Sequence, residues 1–136
     1  MSTLAMDREG ADGAASRVLP ATELEISLHE TGRATLVLLR GEINIDSSPA
    51  LRNHLLAALQ NPETKALIVD MTDISFIDAS GIATLVEALK IARTRQKNFC
   101  LKGLEGRVLR LFEVSGLLHL FEATGYRDAG AEAKVP

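Results

Sequence analysis

The sequence predicts a single α/β domain, in which a mixed, mostly parallel sheet of four to five strands packs against three to four helices. Strand-like and helix-like segments alternate along most of the chain, as they do when parallel strands are joined by crossover helices. Two strand-like segments near the start are separated by a short turn, which places one antiparallel strand at an edge. With 136 residues, 46% hydrophobic and 24% charged, the chain fits one globular domain.

The first three predicted elements are a strand hairpin and a helix. Glu23–Glu30 alternates apolar and polar residues, which is typical of a half-buried strand, and Ala34–Leu39 forms the second strand. Ser47, as a serine cap, and a proline in the first turn predict the start of a helix. Asn61-Pro62 ends that helix.

The later elements follow from longer apolar patterns. Lys65–Asp70 is a continuous apolar run, typical of a strand covered on both faces. A helix with an apolar stripe runs from the region of Asp78 to Ala92, and Asn98–Leu101 forms a fourth strand. Gly106–Glu113 predicts an amphipathic helix, and Leu118–Phe121 a short edge strand.

Composition argues against several classes of function. A net charge of −3 shows no basic excess, so we expect no nucleic-acid binding. The single cysteine, Cys100, suits a reducing compartment and therefore the cytoplasm. No apolar run approaches the roughly 18 residues of a membrane span. Because the three histidines lack metal-ligand spacing and no phosphate loop or nucleophile elbow is present, we expect neither a cofactor, nor a metal, nor enzymatic activity.

The segment Asp78-Ala79-Ser80-Gly81 is the candidate site. Asp78 stands where an N-cap residue would accept hydrogen bonds from the backbone of Ser80 and Gly81. A glycine inside a helix costs about 1 kcal/mol relative to alanine, so a cap alone does not explain the run of small residues. Small residues also let a phosphate or a partner's backbone approach the helix start. The residue chemistry leaves both interpretations open.

Three short segments stand in a characteristic order and spacing: Gly41–Asn44, Ile77–Gly81 and Val114–Leu117. With them the chain resembles the STAS family, the domain shared by bacterial anti-sigma-factor antagonists and sulphate transporter tails. The resemblance covers about residues 22–125 and implies a STAS-like fold. Residues 1–21 are expected to be a flexible lead-in, and residues 126–136 a C-terminal tail.

The resemblance implies a protein-binding switch. The family docks on an anti-sigma factor that is a GHKL-type serine kinase, which phosphorylates a hydroxyl in the Asp-Ser loop and dissolves the complex, and a PP2C-type phosphatase resets it. For this chain, the resemblance implies neither nucleic-acid binding nor direct membrane insertion. The partner-binding residues it indicates are Asn44, Asp46, Ser47, Ser75, Ile77, Asp78, Ala79, Ser80, Gly81 and Ile82.

The sequence departs from the family pattern immediately after the aspartate, where the usual hydroxyl is replaced by Ala79. Three interpretations follow: constitutive binding without the switch, transfer of the acceptor role to Ser80, or an engineered alanine that locks the complex. We favour the first. Two other functions stay open, an accessory subunit of a lipid or anion ABC transporter and, more weakly, a small-ligand or nucleotide sensor.

Overall fold

The structure, a computed structural model, describes residues 24–123. The lead-in predicted for 1–21 and the tail predicted for 126–136 lie outside these residues. The elements in chain order are β1 (Leu24–Thr31), β2 (Ala34–Ile43), α1 (Ser48–Gln60), β3 (Ala66–Ile77), α2 (Ala79–Thr94), β4 (Asn98–Lys102), α3 (Gly106–Val114) and α4 (Leu117–Ala123).

The four described strands form one mixed sheet in the order β1-β2-β3-β4. β1 and β2 form the antiparallel hairpin that the short turn predicts. β2 pairs with β3, and β3 with β4, in parallel. The α/β fold class with one antiparallel edge strand is therefore confirmed.

The sheet has one fully covered face. Register places residues of β2, β3 and β4 side by side, and the inner row is completely buried while the outer row is only partly buried. Burying such an aliphatic side chain contributes about 1.5–3 kcal/mol, so the inner face is the main source of stability. The prediction that β3 is covered on both faces is therefore fully confirmed for the inner face. The outer face is only partly covered by the described residues. The inner row is Val37, Val69 and Leu101, and the outer row is Leu36, Ile68 and Cys100.

The helix stripes predicted from the 3.6-residue period are confirmed in α1 and α2. Leu51 and Leu55 of α1 and Leu85 of α2 are completely buried, and Leu89 of α2 nearly so. The two helices also pack against each other through a surface ion pair between Arg52 and Glu87. None of the helices within residues 24–123 is long and apolar enough to cross a membrane.

Two sequence predictions are corrected here. β3 continues to Ile77 instead of ending at Asp70, because β2 also extends and pairs with it up to Ile43. The edge strand predicted for 118–121 is part of α4. In a helix, Leu117 and Phe121 lie on one face, and Phe121 is completely buried with its ring centroid 5.7 Å from that of Phe112.

Candidate functional site

Two loops meet where β2 and β3 end. The strands remain paired up to Ile43 and Ile77, and the Asp78 amide then donates to the carbonyl oxygen of Ile43 at 3.0 Å. The backbone of Ile45 also lies close enough to the Asp78 carboxylate to contribute to its lowered pKa. The loop after β2 and the start of α2 therefore lie side by side, as the sequence predicts.

Asp78 is the N-cap of α2. Its Oδ1 accepts from the Gly81 amide at 3.1 Å and from the Ser80 hydroxyl at 2.6 Å. The Ser80 hydroxyl is the largest cause of a lowered pKa of the Asp78 carboxyl, burial opposes it, and the amides of Gly81, Ser80 and Ile45 add to the lowering. The cap interpretation is confirmed, and the carboxylate is ionised at neutral pH.

Gly81 is required by packing. It is buried, and a Cβ at this position would lie 2.6 Å from Cγ2 of Ile43 and 2.7 Å from Cγ1 of Ile77. A side chain would therefore push α2 away from the ends of β2 and β3. Because its amide already donates to Asp78, Gly81 does not hold an open donor for a phosphate or a partner, contrary to the interpretation that the small residues left open.

The loop before α1 is held by its own side chains. Asn44 Oδ1 accepts from the amides of Asp46 at 2.9 Å and Ser47 at 3.1 Å. The Ser47 hydroxyl donates to the Glu42 carbonyl oxygen and accepts from the Asn44 amide, both at 2.9 Å. Ser47 occupies the N-cap position of α1 but makes no side-chain cap bond, so the predicted serine cap is wrong. Its backbone is already helical, with φ −99° and ψ −19°, and its hydroxyl points back to β2.

The predicted contact residues divide by exposure. Ile77 is 3% exposed and Gly81 is buried, so both lie mostly beneath the surface that the other residues form. The role of all ten residues as partner contacts stays a prediction. Asp46, Ser75 and Ala79 are exposed, whereas Asn44, Ser47, Asp78, Ser80 and Ile82 are partly buried.

Two large apolar side chains at the site were missed by sequence reasoning. Ile45 is 71% exposed and Phe76 is 48% exposed. The available signal was an isoleucine between Asn44 and Asp46, both typical turn residues. For Phe76, alternation along β3 would have indicated an outward direction had the strand been extended past Asp70.

The combined surface suits contact with a macromolecule. It joins exposed apolar side chains, a small exposed residue and an ionised carboxylate over two adjoining loops. Apolar groups flanked by polar ones are the composition of protein interfaces. The one hydroxyl–carboxylate pair at this site, Ser80 with Asp78, lacks the additional base of a catalytic constellation.

Comparisons with known proteins agree with this architecture. The family model of the STAS domain matches residues 25–130. The anti-sigma-B factor antagonist of Listeria monocytogenes is 35% identical over 86 residues, which cover 63% of this chain and 75% of that protein. The anti-sigma-B factor antagonist of Bacillus subtilis is 26% identical over 96 residues, covering 71% of this chain and 86% of that protein.

A crystal structure shows the same fold. The anti-sigma factor antagonist from Mycobacterium paratuberculosis superposes with a TM-score of 0.64 at 19% identity, covering 76% of this chain and 87% of that chain. The family match spans most of the chain and includes both loops of the site. The protein therefore belongs to the STAS domain family.

Proposed function

We propose that this protein is an anti-sigma-factor antagonist, a cytoplasmic binding module without enzymatic activity that docks on a GHKL-type anti-sigma kinase and lacks the usual phosphorylation switch. The observation that carries the proposal is an exposed methyl group, that of Ala79, next to the capping carboxylate of Asp78. The relatives described above favour this role over a transporter subunit.

The docking surface consists of the loop Asn44–Ser48 and residues 75–82. Exposed Ile45 and Phe76 supply apolar area, one on each of the two segments. A partner that covers these side chains gains hydrophobic free energy at about 25 cal/mol per Å² of apolar area buried. The internal hydrogen bonds of both loops hold this surface in shape before binding, which lowers the entropy cost of association.

The contacts of Ser80 argue against transfer of the acceptor role to this residue. Its hydroxyl is partly buried and donates to Asp78 Oδ1 at 2.6 Å. A phosphate on this oxygen would place about two negative charges beside a carboxylate whose pKa is lowered and which is therefore ionised. We therefore expect Ser80 to stay unmodified. A PP2C-type phosphatase would have a substrate on this chain only if Ser80 were phosphorylated.

The binding experiment uses the host's purified GHKL-type anti-sigma kinases and isothermal titration calorimetry with the folded protein. We expect one of them to bind with a measurable Kd. The absence of binding by every such kinase contradicts the proposal.

The switch experiment adds ATP and Mg²⁺ to the complex and maps phosphate by mass spectrometry. We expect the natural sequence to remain unmodified and bound, and Ala79→Ser to be phosphorylated and released. Ser80→Ala is the matched control, because it removes the neighbouring hydroxyl and should leave both results unchanged. Phosphate on Ser80 of the natural sequence would show a relocated switch.

A further inference from the structure

A groove adjoins the docking surface, between the end of β3 and α3. Its volume is about 220 Å³, far more than the roughly 10–15 Å³ needed to hold one water. Its floor and one wall are apolar, formed by the buried side chain of Val108 and the half-exposed ring of Phe76. The lining residues are Ser75, Phe76, Ile77, Arg107, Val108 and Leu111.

The α3 side of the groove continues along one helix face. Arg107, Leu111 and Val114 are spaced four and three residues apart, so they lie in a row on the helix surface. Val114 is 75% exposed. The row therefore presents a cation followed by two apolar side chains, next to the exposed ring of Phe76.

Arg107 supplies a cation at the rim. It is exposed, and within residues 24–123 its guanidinium makes neither a hydrogen bond nor an ion pair. Glu105 and Glu113 lie close in sequence, yet neither pairs with it. An arginine fork matches a carboxylate in a bidentate arrangement.

We propose that this groove is a second anchor for the partner protein: it takes an apolar side chain of the kinase whose neighbouring carboxylate pairs with Arg107. The inference rests on the proposed function, because Phe76 and Ile77 lead directly into Asp78 and a partner covering Ala79 also reaches the groove. An apolar pocket with one cation at its rim selects an acidic-apolar segment and rejects a basic one.

The first test measures binding of the cognate kinase by calorimetry. We expect Phe76→Ala and Arg107→Glu each to raise the Kd at least about tenfold, as anchor residues at an interface do. Leu28→Ala and Arg33→Glu are matched controls: Leu28 is 39% exposed on β1, and exposed Arg33 lies in the turn at the other end of β2. We expect either control to change the Kd less than about twofold.

The outcomes separate the two proposals. If the natural sequence binds a kinase and the groove variants bind like their controls, the groove proposal and the docking contact assigned to Phe76 are wrong, while the proposed function stands on the other residues of the docking surface. If no kinase binds, the proposed function is wrong. A thermal melt of each variant verifies folding, which the exposure of Phe76 and Arg107 should preserve.

A second test measures ligand binding in the groove without any kinase. Anilinonaphthalene sulfonate (ANS) combines fused aromatic rings with one anion, as the expected occupant combines an apolar side chain with a carboxylate. In amide NMR spectra, we expect it to shift Ser75–Ile77 and Arg107–Leu111, and Phe76→Ala to remove most of that shift. Shifts confined to other residues, or no shifts at all, overturn the groove proposal.

Discussion

The two ends of the sheet are stabilised in different ways. At the amino ends of the parallel strands, polar contacts join distant parts of the chain. The hydroxyls of Thr35 and Thr64 are 3.1 Å apart and 29 residues apart in sequence. Lys97 Nζ donates to the carbonyl oxygens of Leu59 and Asn61, both at 2.7 Å and across 38 and 36 residues.

At the carboxyl ends, most polar contacts are local. The side-chain bonds around Asn44 and Ser47 span two to five residues, and those of Asp78 span two and three. Local bonds shape a loop without covering it, so Ile45 and Phe76 remain exposed there. At the amino end, polar contacts connect the end of α1 and the loop after it to β2 and to the residue before β4. At the carboxyl end, the loops keep apolar side chains exposed to solvent.

This difference predicts which measurement each substitution affects. Changes at the amino end should lower the free energy of unfolding and leave partner binding intact. Changes to exposed side chains at the carboxyl end should do the reverse. Gly81 is the exception, because it is buried beneath the carboxyl-end loops.

Gly81→Val should have the largest effect. The new side chain would overlap Ile43 and Ile77, whose nearest atoms lie 2.6 and 2.7 Å from a Cβ at this position. Overpacking of this kind typically lowers the free energy of unfolding by about 1–3 kcal/mol. We expect a loss of about 3 kcal/mol here, because the valine side chain is branched at Cβ. Urea unfolding followed by circular dichroism measures the loss. Ala83→Val, exposed on the same helix, is the matched control and should cost less than about 1 kcal/mol. Equal losses would show that packing against the strands does not require the glycine.

Lys97→Met should be next in size. Its ammonium stabilises the C-terminal end of α1 through two carbonyl groups. Burial lowers the pKa of Lys97, with Arg95 and Lys65 adding to the lowering, so part of the gain from these bonds is offset. We expect a loss of about 1.5 kcal/mol in the free energy of unfolding, near the lower limit for bonds to a charged group. Lys90→Met, exposed on α2, should change it by less than about 0.5 kcal/mol. A reduced affinity for the kinase would contradict the division between the two ends.

Asp78→Ala should cost about 1 kcal/mol at neutral pH through loss of the cap. Because the folded-state pKa of Asp78 is lowered, this stabilisation is present above the ordinary value of about 4 and is lost as pH falls through the folded value. Asp78→Asn keeps an acceptor oxygen but cannot titrate, so its stability should fall less between pH 5 and about pH 2. Urea unfolding over that range measures the slopes. Parallel curves for the natural sequence and Asp78→Asn would contradict the assignment.

Local signals in the sequence were sufficient for the elements whose cause is local. The stripe containing Leu51 and Leu55 predicts α1, and Asp78 predicts the start of α2, because a helix period and an N-cap each involve neighbouring residues. Leu118–Phe121 is only four residues long, and so short an apolar segment fits the period of a strand as well as that of a helix. The helical form is decided by the contacts of Phe121 with Phe99 and Phe112.

The candidate site was located from sequence, but the reasons for its residues were not all accessible. The distance between Gly81 and Ile43 depends on how β2 and α2 pack, across a sequence separation of 38 residues, and no local pattern encodes it. The exposure of Phe76 depends on β3 continuing past Asp70, which requires the extended pairing with β2. The sequence thus predicts the cap at Asp78 but neither the packing role of Gly81 nor the exposure of Phe76.

The ion pair between α1 and α2 should have the smallest effect, because it lies on the surface between the two ends. Arg52 donates to both carboxylate oxygens of Glu87, from Nε at 2.9 Å and from NH2 at 2.8 Å. The side chains remain 47% and 40% exposed, so a double-mutant cycle with alanine at each position should give a coupling smaller than any of the losses expected above. The coupling should shrink between 0.1 M and 1 M salt as the screening length falls from about 10 to 3 Å.

The same ion pair tests whether the packing of α1 against α2 affects partner binding at the docking surface. Each partner shifts the other's pKa, with that of Arg52 raised and that of Glu87 lowered, in both cases first through their hydrogen bond. Because Glu87 has the lowered folded-state pKa, the coupling is present at neutral pH and is lost as pH falls through that value. Glu87→Gln should therefore leave the kinase Kd within about twofold at neutral pH, since the site loops are held by their own bonds. A larger change in Kd would mean that helix packing, and not local hydrogen bonding, positions the docking surface.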